Sequence, residues 1–420
     1  MKDRIRFFFN HLDQQLWFKP LLISLLSILA AFTARMADRL DVLQNVPSVT
    51  ANSLETLLGI IAASMLGIAV FAVGAMLSAY ASASSSATPR TFPLVIADDV
   101  SQNALSSFIG AFIFSIVSLI ALMNGYYGRA GRLLLFLITA GVFGLVIFNF
   151  LRWLDSIARL GRLGNTIDKV EKVTFEALKR RAENPTLGGQ KAEGPASDTP
   201  IYPDAVGYVQ RIDMPRLQSV AEKHQLQLTL AVLPGSFVSP GQPLLTFHPE
   251  QQPPDSDQNI NIRHIQEAFP IKQERNFTED PRFGLVVLSE IASRALSPAV
   301  NDPGTAIDIL NTLIRLFNRW ESFPKEGHEV KYDRVSVPEL SLQDMFDDAF
   351  NPIARDGAGT LEVALRLQQA FNILGTLGSE GIQQAARDHA RLALRYAEKA
   401  LKLPEEITVL KEKAHLIQDQ

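Results

Sequence analysis

From Thr56 to Pro89 the chain carries no Asp, Glu, Lys or Arg. A continuous helix of that length measures about 50 Å, while a bilayer's hydrocarbon core is about 30 Å thick. Few soluble folds can absorb such a run. The stretch therefore sets the class of the chain before any other feature is considered.

Three further segments pass the length test of about 20 apolar residues for a membrane-spanning helix. They run from about Pro20 to Arg35 and on toward Leu40, from Ala104 to Met123, and from Gly131 to Trp153. The long segment itself starts near Leu54 and continues past Tyr80. One such segment alone could be a buried core helix, but four in succession argue for a membrane domain. An N-terminal signal peptide fits less well. Arg35, Asp38 and Arg39 follow the first apolar run without a small-residue cleavage pattern.

Loop charges orient the bundle. Lys2, Arg4, Arg6 and Lys19 precede the first span, and Arg152, Arg159, Arg162, Lys169 and Lys172 follow the fourth. On the other side Arg35 and Arg39 are offset by Asp38 and Asp41. The expectation is a bacterial inner-membrane protein with its N-terminus and everything after about Arg159 in the cytoplasm. Lipid is its first partner. The net charge of −4 gives no reason to expect nucleic acid as another.

The lower half of the long segment, AYASASSSATP, is rich in small and hydroxyl residues. Gly74, Ser78, Ser82 and Ser86 recur every fourth residue, and Ala63 with Gly67 forms another small pair. Small residues let helix backbones approach, so a packing seam is one reading. The other is that Gly67, Gly74, Ser78, Ser82 and Ser86 line a hydrated path in a homo-oligomer for a small ion or ligand. The other spans hold no carboxylate or histidine, so a proton relay or a pump driven by buried charge has little support.

Residues 1–158 thus read as the four-span domain and 159–200 as an amphipathic helix and linker. Residues 201–250 read as a small β-rich module, and 251–420 as a mainly helical domain. The fold class expected is membrane α-helical with a cytoplasmic α+β region. In 201–250, LQLTLAV alternates apolar and polar residues as a half-buried strand does. PGSFVSPGQPLLTF resembles half of a barrel-sandwich domain of the biotinyl or lipoyl type, but no lysine stands at its hairpin tip to carry a cofactor. A structural or docking module is the better fit.

Cysteine is absent, which removes thiolate metal sites, iron–sulfur clusters and a cysteine nucleophile. The seven histidines have no partner at ligand spacing, and no phosphate-binding glycine loop or nucleophile elbow occurs. Asp344, Asp347 and Asp348 stand at helical spacing, which suits a solvated helix start better than a metal site. No cofactor, metal or catalytic cluster is implied. The densest punctuation is SRALSPAVNDPGTA, Ser293 to Ala306. There Ser297-Pro298 and Asp302-Pro303 can each cap and start a helix. Arg294 could fold back on Asp302 or Asp308, making Arg294, Ser297, Asn301, Asp302 and Asp308 candidates for a rigid corner or a gating or ligand-sensing corner.

RALSPAVNDPGTA also resembles the RALSPAxNDPxTA hallmark of a large family of uncharacterised bacterial membrane proteins, a domain-of-unknown-function family. GYVQRID, GSFVSPGQPL and AFNPIARDG match other segments of that family. Ser85, Pro89 and Arg90 resemble its SxxFSPR segment, although Ala87 and Thr88 stand where phenylalanine is expected. The resemblance implies a four-span inner-membrane protein with a cytoplasmic domain and no established activity. Together these features lead to an oligomeric channel or permeation protein. The rival is a membrane-anchored sensor or scaffold whose cytoplasmic domain binds a ligand or protein.

Overall fold

The computed structural model describes residues 18–39, 47, 49–96, 98–192, 199–249, 261–324 and 329–414. Lys2, Arg4, Arg6, Leu40 and Asp41 lie outside the described residues, as does part of the linker at 193–198. The side chains of Arg39, Ser85 and Ser86 lie outside them too. The chain divides into two compact units, with the boundary between Thr166 and Ile167.

Among the described residues the first unit holds four helices long and apolar enough to cross a membrane. They are α1 (Phe18–Met36), α2 (Ala51–Ser86), α4 (Asp99–Met123) and α5 (Arg129–Leu160), with the short α3 (Phe92–Ile96) between α2 and α4. Helix is the form expected, because in hydrocarbon every backbone N–H and C=O must be satisfied within its own segment. Side chains set the boundaries. Thr50 caps α2 by accepting from the Ser53 amide, and Asp98 caps α4 by accepting from that of Ser101. The Asp38 carboxylate accepts from the amides of Gly128 and Gly131 at 2.7 Å each, at the start of α5. A Cβ on either glycine would run into that carboxylate. The centre of the unit is aromatic, with Phe108 and Trp153 edge-to-face at 6.3 Å.

The second unit begins within α6 (Leu163–Glu183), which follows a break after Gly161 at the end of α5. It carries eight short strands among the described residues, in two sheets. The larger has five, in the order β1 (Gly189–Lys191), β8 (Tyr332–Val337), β4 (Leu226–Leu230), β6 (Leu245–Pro249) and β2 (Thr199–Ile201). β8 runs parallel to both of its neighbours, while β4–β6 and β6–β2 are antiparallel. The smaller sheet has β3 (Gly207–Val209) between β5 (Phe237–Val238) and β7 (Ile271–Lys272).

The expected half barrel-sandwich is therefore corrected: among the described residues no barrel closes. The short strand inside PGSFVSPG pairs with β3 in the small sheet, while β4 gives its second edge to β8 from far downstream. Alternation within LQLTL is as expected, with Leu226, Leu228 and Leu230 buried. They pack with Val335, Val337, Leu244 and Leu245, and with Leu217, Val220 and Ala221 of α7 (Met214–His224).

The rest of the unit is helical. The short α8 (Ile262–Gln266) precedes α9 (Pro281–Ala295) and α10 (Pro303–Glu321). Then come α11 (Leu342–Asp356), α12 (Leu361–Leu377), α13 (Glu380–Ala400) and α14 (Pro404–Lys413). Phe317, Phe346, Phe350 and Phe371 are fully buried, with Phe317 4.5 Å from Phe346 and Phe350 5.1 Å from Phe371. Aromatic contacts of this kind add to ordinary area burial.

Candidate functional site

Each turn of α2 places residues on two opposed faces. Leu54, Leu58, Ile61, Met65, Ala69, Ala72, Met76, Tyr80 and Ala83 are buried against the unit's own helices. At about 100° per residue, Ala63, Gly67 and Gly74 fall on the far side of the helix from them. Gly67, Gly74 and Ser78 are exposed, and nothing lies within 4 Å of where a Cβ on either glycine would stand. The intramolecular seam therefore runs through Ala69, Ala72 and Met76 rather than through the glycines. Ser82 is also exposed, but its hydroxyl donates to the Gly161 carbonyl at 3.4 Å. Leu66, Val70, Phe71 and Leu77 are exposed beside the small residues, so the outward face mixes bulk with gaps.

The corner between α9 and α10 forms one helix start, not two. Asp302 is the N-cap of α10, accepting from the Thr305 amide at 3.1 Å and the Thr305 hydroxyl at 2.6 Å, with Pro303 in the first turn. The Thr305 hydrogen bonds hold the Asp302 carboxyl below its usual range. Ser297 does not open a helix. Its hydroxyl donates back to the Arg294 carbonyl at 2.7 Å, closing the end of α9 instead. Asn301, at φ 50°, takes the left-handed conformation that asparagine tolerates. Its amide donates to the Ser297 carbonyl at 2.9 Å, and the Asp302 amide returns to the Ala295 carbonyl at 2.8 Å. Arg294 is exposed in the last turn of α9 and Asp308 is exposed on α10. The charge of Asp308 helps to hold the Arg315 guanidinium protonated, behind the larger contribution of Glu171.

Sequence spacing did not reveal a third arrangement. A hollow of about 300 Å³ is lined by Glu290, Asp347, Asp348, Asn351, Arg355 and Tyr396, among others. Its acidic wall is braced from beneath. Arg282 donates to Asp348 at 2.6 Å and to Asp344 at 2.5 Å. His389, 3% exposed, has Nδ1 2.7 Å from the Ala385 carbonyl and Nε2 2.9 Å from Asp347. The two contacts fix the plane of the ring between α11 and its own helix.

Burial pushes the Asp348 carboxyl up, and the hydrogen bond and charge of Arg282 pull it part of the way back. Burial also works against the charge of Arg282, but Asp348, Asp344 and Asp280 outweigh it and the guanidinium is raised. The three aspartates read as a solvated helix start are thus divided between Arg282 and His389. Those partners lie 42 to 66 residues away, which no local pattern reveals.

Four apolar helices of spanning length in one unit, and a mixed helical and sheet unit holding none of them, define a multi-pass membrane protein. Within that class the chain belongs to the family described as "Predicted membrane protein (DUF2254)", whose profile matches residues 13–372. Among curated proteins it resembles the "Uncharacterized protein Mb1321c" of Mycobacterium bovis and the "Uncharacterized protein Rv1290c" of Mycobacterium tuberculosis. Each is 34% identical over 125 residues, covering 28% of this chain and 23% of the relative. The match spans about a quarter of each relative's length. No solved structure matches the chain significantly.

Proposed function

We propose that the protein is a homo-oligomeric channel or permeation protein of the bacterial inner membrane. In this reading α2 lines the path from each subunit, and the second unit, in the cytoplasm, assembles or gates it. The observation that carries the reading is the Gly67, Gly74 and Ser78 face of α2, turned away from its own bundle. Small residues on such a face let a second helix approach closely or leave room for water.

Purified protein in liposomes should pass small ions, and Gly74→Leu or Ser78→Leu should abolish that flux while leaving the fold intact. Both positions are exposed, and a Cβ on Gly74 stands in open space. Bilayers silent under voltage and tension would overturn the proposal, as would flux unchanged in both variants.

A membrane-anchored sensor or scaffold is favoured by a different observation, the hollow at Asp347 and Tyr396. It requires the full-length protein to bind a specific ligand that Tyr396→Ala weakens, with bulk along α2 tolerated.

A further inference from the structure

A second hollow, of about 280 Å³, lies where α4 begins and α5 ends. Asp98, Arg152, Asp155, Ser156, Arg159 and Asn165 line it. Its height relative to a bilayer is set by the sequence of α5. From Leu133 to Leu151 that helix carries no charge, and Arg152 is the first residue after the run that does. The hollow therefore sits where hydrocarbon gives way to headgroups.

Both carboxylates in it are already engaged. Asp98 accepts from the Ser101 amide at 3.0 Å, the Ser101 hydroxyl at 2.7 Å and the Ser156 hydroxyl at 3.3 Å. Asp155 holds Arg159 at 2.8 Å, with both side chains about two-thirds exposed, at 69% and 65%. An exposed pair of this kind is weak, about 0.3–0.5 kcal/mol, so Arg159 remains available to a stronger anion. Arg152 stacks its guanidinium over the Phe148 ring, 5.6 Å from the centroid, and forms no ion pair among the described residues. Arg162, exposed just beyond the end of α5, adds a third positive charge.

On the hydrocarbon side the same face of α5 changes character. At helical spacing toward the N-terminus, Arg152 is preceded on that face by Phe148, Leu145 and Gly141. Phe148 and Leu145 are exposed, and no atom lies within 4 Å of a Cβ built on Gly141 or Gly144. An apolar track with two notches thus ends on two guanidinium groups. Two guanidinium groups face two carboxylates there, each carboxylate already hydrogen-bonded or paired, and clustered cationic side chains at the edge of a span are a known setting for lipid phosphates.

We propose that this track is a binding site for an anionic glycerophospholipid. The phosphodiester is held by Arg152 and Arg159, with Ser156 and Asn165 beside it, and an acyl chain lies along Phe148, Leu145, Gly144 and Gly141. The site rests on the membrane assignment of the first unit and not on the channel reading. Its failure would leave the channel reading standing, and the reverse also holds.

The test uses the full-length protein in a neutral detergent, offered phosphatidylglycerol, phosphatidylcholine or inorganic phosphate. Bound lipid is counted by native mass spectrometry and stabilisation is read as a thermal midpoint. Phosphatidylglycerol should be retained in preference to phosphatidylcholine. The pair Arg152→Gln with Arg159→Gln should reduce that preference by at least about tenfold, the scale of one lost charge-assisted contact. Gly144→Phe fills a notch that has no neighbour in the fold, so it should lower retention of both lipids without unfolding the protein. Equal retention of the two lipids, an unchanged preference in the arginine variant, or unchanged retention in Gly144→Phe would overturn the proposal. Equal stabilisation by inorganic phosphate would also overturn it, because the site would then bind a free anion.

Discussion

At the corner between α9 and α10 a single carboxylate sets where a helix begins. Asp302 satisfies the Thr305 amide and hydroxyl together, so Asp302→Ala should cost about 1 kcal/mol, seen as a lower thermal midpoint. The pH dependence has a definite sign. The folded carboxyl lies below its ordinary value of 3.8, so its contribution is complete above 3.8 and is lost as pH falls through the folded value. The alanine variant should therefore show less acid destabilisation than the parent. Asp348 runs the other way. Burial raises its carboxyl, so its contribution is largest below 3.8 and declines as pH rises through the folded value.

Gly235 is a second residue whose environment allows little change. It sits at φ 91°, and a Cβ there would overlap the Asp280 carboxylate, which is 2% exposed and gripped by Arg275 at 2.6 and 3.0 Å. Gly235→Ala should destabilise the second unit by roughly 2 kcal/mol or more, combining left-handed strain with a displaced buried ion pair. Chemical denaturation of the purified variant measures this directly, and a loss under about 0.5 kcal/mol would mean that the turn relaxes freely.

At the scale of elements, the two faces of α2 should respond oppositely to the same chemistry. Ala72, fully buried, faces the other helices of its unit, so Ala72→Leu overpacks a closed seam at a cost of about 1–3 kcal/mol. Gly74→Leu adds the same kind of bulk to open space and should leave the melting of a detergent-solubilised subunit nearly unchanged. Equal damage from both would mean that the outward face is packed within one subunit after all. The existence and rough limits of α2 were legible because a long charge-free run has few alternatives. The direction of its small residues was not, since a period of four suits an inward seam and an outward face equally well.

The sheets show the opposite limit. LQLTL announces a strand through alternation, but β8 reaches β4 across the intervening helices, and nothing in Tyr332–Val337 names its partner. The same distance hides Arg282 from Asp344 and Asp348, and His389 from Asp347. Turn chemistry was legible at Asp302, where a carboxylate precedes proline. At Ser297 the identical reasoning failed, because a serine hydroxyl bonds a preceding helical carbonyl as readily as a following amide.

For the whole molecule, the boundary at Thr166 and Ile167 implies that the second unit includes most of α6 and all of β1. Composition alone suggests cutting at Ile201, after the linker, yet several contacts tie α6 and β1 to the rest of the unit. Glu171 takes both arms of Arg315 at 2.9 and 2.5 Å, and Phe175 stacks on Phe323 at 6.0 Å. Arg181 is 4% exposed beside Glu279 and Asp280; burial lowers its guanidinium to about 10, and the two carboxylates oppose that fall. β1 also completes one edge of the larger sheet against β8.

Removing this segment deletes the buried side chains of Val170, Ala177 and Leu178 as well. Large apolar side chains are worth about 1.5–3 kcal/mol each, against a total stability of about 5–15 kcal/mol for a domain of this kind. A fragment spanning 167–420 should therefore express in soluble form and unfold in urea as one cooperative transition. A fragment spanning 201–420 should be several kcal/mol weaker or aggregate. If the shorter fragment unfolds at the same midpoint with the same steepness, α6 and β1 are appendages and the second unit begins after the linker.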